Sequence, residues 1–426
     1  MRGGFGLFFD VLNANVIGVG EPFFDRFNYA DPTGGASNPL YQLSPVPLTY
    51  DPKNPQFVSP FSLYFPDKNF KTPYVMAMNF GFVQTLSRSA TVEVDYVGKL
   101  GRHLTMPFDQ NPSIYDCSGA YFQANPSVYC TGATDTPASY AARSVYKGYN
   151  YGGQGLVDFA SVATSNYNGL QVMYNQRATH TLTVVATYTY SRSLDMDTNG
   201  QTQSNVIPNV FNLRSEYGPS DYNVTHNITG GWVYFLPKLA KGMSWERAIL
   251  NDWQFNGTSQ VRTGLPFNMT LNNDPSLSDE PNQRPALLPG ANPYLPNNRS
   301  KFAKEAEYFN TQAFGYPVTG TFSTLSRNKF VGPGYLLVNL TAGRTFPLGF
   351  RDGTSLAFRV DAFNAFNITN LANPLAQFSC STTTAMTPCT TPIAGKDFGE
   401  IQTTYGANAA LTSNGRKLQL SLTLNY

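Results

Sequence analysis

The chain has 426 residues, of which 13% are charged and 14% are aromatic, and its formal net charge is +2. Charged residues are about half as frequent as in an ordinary soluble domain, yet the mean hydropathy is slightly negative. The balanced charge and the lack of a basic run give no electrostatic reason to bind nucleic acid, and no stretch approaches the ~20 apolar residues of a membrane-spanning helix.

Ten segments of the sequence alternate apolar and polar residues with a period of two. Because successive side chains of a strand point to opposite sides, this pattern predicts β-strands whose two faces meet different surroundings. In chain order the segments are residues 5–9, 74–82, 92–96, 170–174, 182–190, 228–234, 253–257, 336–342, 358–362 and 418–426.

The last segment shows the alternation most clearly. Its apolar positions are Leu418, Leu420, Leu422, Leu424 and Tyr426, and its polar positions are Gln419, Ser421, Thr423 and Asn425. About ten residues is the length that a strand needs to cross a bilayer. The pattern would also suit a half-buried strand of a soluble sandwich, so its recurrence along the chain is what favours a transmembrane strand.

The connections between the predicted strands alternate between short and long. The short ones are residues 87–89, 177–180, 236–251 and 346–353, and the long ones are 11–72, 100–165, 194–222, 264–333 and 366–415. Outer-membrane barrels have short periplasmic turns and long extracellular loops, and only a closed ring of strands satisfies every backbone group in hydrocarbon. We therefore predict an all-β fold, an antiparallel transmembrane β-barrel whose last residue lies in the periplasm.

Aromatic residues cluster toward the ends of the predicted strands. They are Tyr188, Tyr190, Trp232, Tyr234, Phe235, Trp253 and Phe255. Barrels carry aromatic girdles at both membrane interfaces, so we interpret these rings as girdle residues. The alternative is the ordinary preference of aromatic residues for strands.

Charged residues occupy several polar positions of the predicted strands. They are Glu93, Asp95, Arg262, Arg359 and Asp361. Carboxylates two residues apart share a strand face, which is an arrangement that acid and base catalysis can use. Since the inner face of a barrel is polar in any case, we interpret these residues as lumen lining, expect no enzyme, and expect Arg262 to contact a plug.

The four cysteines form two close pairs, Cys117 with Cys130 and Cys380 with Cys389, each inside one long loop. Local pairs in exposed loops predict two disulfides in an oxidising compartment. The three histidines lie elsewhere, so we expect no metal site and no cofactor.

One loop segment resembles the start of a calcium-binding loop. Asp195, Asp197, Asn199 and Gly200 have the required spacing, but the twelfth position is Val206 instead of Glu. We expect a solvated polar loop here, with a loop calcium ion as the alternative.

Five strings, taken in order, are similar to Oar-like TonB-dependent receptors of the acidobacterial type. They are YVGKLGRHL (96–104), TYTYSRSLD (187–195), EYGPSDYNVTHNITGGWVYFLP (216–237), NDWQFNGTSQVRTGLPFNMT (251–270) and FRVDAFNAFNITN (358–370). The resemblance implies a barrel of about 22 strands, a plug that fills it, and a segment that engages the TonB complex. It also implies that the alternating end of the chain, up to Tyr426 where relatives have Phe, is the signal read by the barrel assembly machinery.

Only the last part of such a barrel has a counterpart in this sequence. No signal-peptide core follows Met1, because Asp10 interrupts the first apolar segment. We therefore expect residues 1–426 to be the carboxy-terminal portion of a receptor barrel in the bacterial outer membrane, contacting lipid and an unknown transported ligand. The alternative is a self-contained ten-stranded pore or adhesin.

Overall fold

The structure is a computed structural model that describes residues 1–10, 63–118, 126–146, 156–177, 181–199, 207–238, 246, 250–348, 354–381, 384–390, 397–405 and 415–426. Ten strands run in chain order through one antiparallel sheet. They are β1 (Arg2–Phe9), β2 (Tyr74–Ser87), β3 (Ala90–Asp109), β4 (Leu156–Gln176), β5 (Leu182–Asp195), β6 (His226–Phe235), β7 (Trp253–Arg262), β8 (Tyr335–Pro347), β9 (Ser355–Phe363) and β10 (Lys417–Asn425).

The order of these strands in the sheet is their order in the chain. Each strand pairs with the next one, as the alternation of short and long connections predicted. The sheet is not closed: among the described residues, β1 pairs only with β2 and β10 pairs only with β9. The antiparallel all-β class is thus confirmed, while the ten strands form an open wall with two edges.

The register separates an apolar face from a polar face. Residues directly opposite in an antiparallel pair share a face, and Leu418, Leu420 and Leu422 lie opposite Ala362, Val360 and Phe358. We call the side of the sheet on which these residues lie the apolar face, and the other side the polar face. Leu420 is 72% exposed, an arrangement that is stable only if something other than water covers that face.

Aromatic residues mark the periplasmic side of the apolar face, as predicted for a girdle. Trp253 and Phe255 lie on it, with Trp253 opposite Arg344, whose guanidinium carbon is 4.5 Å from the centre of the Phe346 ring. Arg344 is thus a charged residue among apolar neighbours, which the alternation in the sequence did not predict. Phe235 was assigned wrongly, because its register partner Gln254 places it on the polar face.

Two strands extend well beyond the predicted segments. β3 has 20 residues and β4 has 21, whereas about ten suffice to cross a bilayer. The predicted loop 100–165 is therefore partly strand, because the hairpin continues past the membrane span and packs against the loop that follows β5. The buried residues at this contact are Met106, Ala163, Met196 and Ile207.

The long connections on the loop side contain short elements of regular structure. They contain short strands, namely Leu63–Pro66, Gly218–Pro219, Pro266–Phe267, Thr270–Leu271, Ala286–Leu287, Phe314–Gly315, Phe330–Val331 and Gln377–Phe378. They also contain the helices Pro126–Tyr129, Pro137–Arg143 and Lys301–Ala306 and the 3-10 turns Leu213–Glu216 and Thr311–Ala313. None of the described helices has the length and apolar character of a membrane span.

Residues of loops 263–334 and 364–416 pack into one hydrophobic cluster, which we call the loop core. Its members are Phe267, Met269, Leu271, Phe309, Ala313, Phe314, Tyr316, Leu325, Phe330, Phe378, Cys380, Cys389 and Phe398. Many of the rings meet edge to face, as Phe309 and Phe398 do at 4.9 Å between centroids. The loop core makes the two longest connections of the carboxy-terminal half one packed unit.

A pair of neighbouring substitutions in β4 tests the two faces. Val172 lies on the apolar face opposite Val94 and Tyr188, and Gln171 lies on the polar face opposite Asp95 and Thr189. We expect Val172→Arg to destabilise the protein by about 2–4 kcal/mol near the bilayer midplane. Gln171→Arg, the matched control, gains a neighbouring carboxylate and should cost little. Urea unfolding in lipid vesicles measures both, and equal costs would contradict the assignment of faces.

Candidate functional site

The charged residues predicted to line the lumen lie on the polar face, where arginines pair with carboxylates. Arg2 of β1 forms ion pairs with Glu93 and Asp95 of β3, with its Nη2 atom 2.7 Å from Asp95 Oδ2. On the other half of the sheet Arg359 Nη2 lies 2.7 Å from Asp361 Oδ1. The first contact reaches across β2 from β1 to β3, and the second lies within β9. Arg2 alone serves two carboxylates, so this part of the wall keeps an excess of negative charge.

Arg262 lies on the polar face at the loop end of β7. Its guanidinium carbon is 5.0 Å from the ring centre of Tyr335 and 4.7 Å from that of Tyr405. A cation over two aromatic faces is stabilised by their quadrupoles. Arg262 therefore ties the rim of the wall to loop 364–416, and its contact with a plug stays a prediction.

Each long-loop cysteine pair is joined by a disulfide. Cys117 bonds to Cys130 with their Cα atoms 4.9 Å apart, and Cys380 bonds to Cys389 at 5.7 Å. Cys380 and Cys389 are buried in the loop core. This second disulfide therefore crosslinks the packed part of the loops.

The segment that begins at Asp195 and resembles a calcium-binding loop forms an ion pair instead. The carboxylate of Asp195 is paired with Arg327 and accepts a hydrogen bond from the Thr198 hydroxyl. The carboxylate that would be the first ligand of a calcium ion is thus occupied by a guanidinium. Gly200 and Val206, which complete the motif, lie outside the described residues.

The residues of the predicted assembly signal lie at one edge of the sheet. Leu418, Leu420, Leu422 and Leu424 follow the apolar face of β10, and Tyr426 is 96% exposed. Their recognition by the assembly machinery stays a prediction.

A buried ion pair joins two loops above the wall. Arg284 donates two hydrogen bonds to the Glu216 carboxylate, of 2.8 and 2.6 Å, and both side chains are almost fully buried. Arg327 also donates from Nε to the backbone carbonyl of Glu216 at 3.0 Å. Bidentate, charge-assisted geometry of this kind fixes the relative position of loops 196–225 and 263–334. The partners are 68 residues apart, and no local pattern in the sequence links them.

Two of the cavities on the loop side differ in character. The first, of about 470 Å³, is lined by aromatic residues, several of them from the loop core, and by two basic residues. Its lining includes Phe267, Tyr294, Tyr308, Phe330, Arg299 and Lys304. The Arg299 guanidinium is held by backbone carbonyls, including that of Glu307 at 2.7 Å, and burial raises the pKa of the Tyr308 hydroxyl.

The second cavity, of about 320 Å³, is lined mainly by oxygen-bearing side chains, and we call it the acidic cavity. Its lining includes Asp135, Tyr140, Asn273, Asp274, Asp279 and Glu280. The Tyr140 hydroxyl donates to Asp135 at 2.6 Å or to Asp274 at 3.2 Å, and burial raises its pKa. Glu280 is 2% exposed, and burial together with Asp109, Asp279 and Asp274 raises the pKa of its carboxyl well above the ordinary value.

The part of the chain that the structure describes contains no group of three or more His, Cys, Asp or Glu side chains placed to hold a metal ion. Histidine and cysteine are likewise missing from the lining of both cavities.

A two-faced antiparallel sheet with an exposed apolar face, a polar face and long connections at one end has the architecture of a membrane β-barrel wall. Residues 1–419 match the family model described as outer membrane beta barrel domain. The chain therefore belongs to the outer-membrane β-barrel domain family, and its location is the bacterial outer membrane. No curated protein matches the sequence.

Several solved structures are similar to this chain. The outer membrane transporter YddB from Escherichia coli has 9% identity and a TM-score of 0.37, over 78% of this chain and 33% of that one. The FrpB iron transporter from Neisseria meningitidis (F3-3 variant) has 10% identity and a TM-score of 0.34, over 83% and 31%. The copper transporter OprC has 10% identity and a TM-score of 0.31, over 83% and 31%. This chain spans about a third of the length of each of them.

We expect Glu216→Gln to destabilise the loop side strongly, because it leaves Arg284 buried without its counter-charge. Breaking a buried pair in this way costs about 3–5 kcal/mol. The exposed pair of Lys301 and Glu305, 3.7 Å apart, gives the control, since Glu305→Gln should cost less than about 1 kcal/mol. Limited proteolysis across a urea series measures both, and similar midpoints for the two variants would contradict the role of the buried pair.

Glu280→Gln should make the protein more stable at high pH. The pKa of Glu280 is raised in the folded state, so the folded protein holds this proton more tightly than the unfolded chain. The stabilisation that the protonated Glu280 contributes is fully present below the ordinary glutamate pKa of about 4.3. It is lost as the pH rises through the raised pKa of the folded state. Without added ligand, the wild type and Glu280→Gln should have the same thermal unfolding midpoint at pH 4. At pH 8 the midpoint of Glu280→Gln should be the higher one. A difference that does not change with pH would contradict this.

Proposed function

We propose that this chain forms part of the wall and the ligand-capturing loops of a TonB-dependent outer-membrane transporter of the Oar-like type. The observation behind the proposal is the open ten-stranded sheet, whose edge strands β1 and β10 each have one described neighbour. In hydrocarbon an unpaired strand edge costs several kcal/mol for each unsatisfied group. Further strands at both edges, as in a barrel of about 22 strands, would remove that cost.

The ion pairs on the polar face are consistent with a wall that lines a lumen and surrounds a plug. Its carboxylates Glu93, Asp95 and Asp361 each have an arginine partner, so their chemistry is already used in structural ion pairs. This arrangement favours a non-catalytic wall over an enzyme. The plug, the TonB complex and the assembly machinery are the partners that the proposal requires.

The loop side supports a role in capture. The loop core, the disulfide between Cys380 and Cys389 and the buried pair of Glu216 and Arg284 hold two cavities in a fixed geometry above the wall. Preorganised cavities bind with a smaller entropic cost than mobile loops do. The proposal assigns the capture of the transported ligand to this packed loop side.

Heat-modifiable mobility on a gel tests the proposal. The 426-residue chain and the same chain extended through the upstream reading frame are each refolded into lipid vesicles. We expect the extended protein alone to give a compact, protease-resistant band that shifts on heating, because its sheet can close. A compact heat-sensitive band from the 426-residue chain would contradict the proposal and favour a self-contained pore or adhesin.

A further inference from the structure

The acidic cavity contains a buried carboxyl group that has only other carboxylates as charged neighbours. Glu280 is 2% exposed, and among the described residues neither of its carboxylate oxygens has a hydrogen-bond partner. Buried polar groups are nearly always paired, and a buried carboxylate without a partner is strongly destabilising. A group without a partner in this position therefore points to something that binds there.

The surroundings of Glu280 add negative charge. Asp109, Asp274 and Asp279 are the charged groups that act on it. Arg284 is paired with Glu216, and Arg143, which donates to the backbone carbonyls of Ile114 and Leu277, acts on Asp274 and Asp279. Neither arginine is among the charged groups that act on Glu280. The cavity is therefore lined by carboxylates with no basic side chain among its lining residues.

The other lining atoms are also acceptors. Asn273 Oδ1 is a second buried oxygen without a partner among the described residues, and Asn272 and Asn282 contribute further amides. The complementary ligand is a positively charged group that carries only hydrogen-bond donors. Ammonium and guanidinium groups have this chemistry.

The size and geometry of the cavity favour an organic cation over a metal ion. Its volume of about 320 Å³ falls at the lower end of small-molecule sites. A calcium ion needs about six to eight oxygens at 2.3–2.6 Å. The described residues contain no cluster of three or more His, Cys, Asp or Glu side chains placed to hold a metal ion.

We propose that the acidic cavity binds the ammonium or guanidinium end of an organic cation, with Glu280 as its charge partner. The inference rests on the capture role proposed for the loops and names the chemical class of the captured ligand. The Glu280 carboxylate accepts hydrogen bonds from the cation, and the Asn273 amide oxygen accepts another.

Calorimetric titration of the extended protein, refolded and solubilised in detergent, tests this inference, with agmatine as the probe because it carries both cationic groups. We expect saturable binding that Glu280→Gln weakens by at least about tenfold. Glu305→Gln, on helix Lys301–Ala306 and outside the cavity lining, is the matched control and should bind as the wild type does. Asn273→Asp adds a carboxylate to the lining and should tighten binding severalfold.

Three results would overturn the inference. They are no binding of agmatine by folded protein, equal affinities for the wild type and Glu280→Gln, and binding of calcium chloride without binding of agmatine. The test does not depend on the proposed transporter role. A chain that binds agmatine through Glu280 and yet closes its sheet alone would keep this inference and refute that role.

Discussion

The constraint on which the structure depends is that every backbone amide and carbonyl in hydrocarbon needs a hydrogen-bond partner. The eight inner strands meet it through antiparallel ladders on both sides, while β1 and β10 have a described neighbour on one side only. The strict alternation of side chains follows, because a two-sided wall must present one face to lipid and the other to the lumen. The same constraint makes the two edges the places where the wall must continue or close.

The loop side is stabilised by different interactions. There the apolar side chains are turned away from water into a core of their own, as Phe314 and Phe378 are, whereas Leu420 on the wall is 72% exposed. The loop core, a disulfide and buried ion pairs replace the bilayer as the source of stability. Hydrophobic residues thus face lipid in the wall and pack against one another in the loops. The boundary between these two regions runs along the loop ends of the strands.

The strands could be predicted from the sequence because their information is local. A period of two over ten residues in β10, repeated with alternating short and long connections, defines strand number and order without any tertiary knowledge. Phe235 was nevertheless placed on the wrong face, although the period of two that puts Trp232 and Tyr234 on the apolar face puts Phe235 on the polar face.

The loop side could be predicted only in part. Cysteines nine residues apart, such as Cys380 and Cys389, indicate a local crosslink. The pairing of Glu216 with Arg284 and the exposure of Glu280 to three other carboxylates arise from contacts between distant segments. No spacing rule in a single sequence encodes such contacts, so the acidic cavity emerges only from the fold.

The position of a residue in its strand, and not its own hydrophobicity, decides which face of the wall it occupies. Spin labels placed singly at residues 170–175 of β4 in lipid vesicles test it through their accessibility to oxygen and to a polar nickel complex. Leu170, Val172 and Tyr174 should report lipid, and Gln171, Met173 and Asn175 should report the lumen, with the apolar Met173 as the decisive position. Lipid accessibility at residue 173, or no alternation along the strand, would contradict the account.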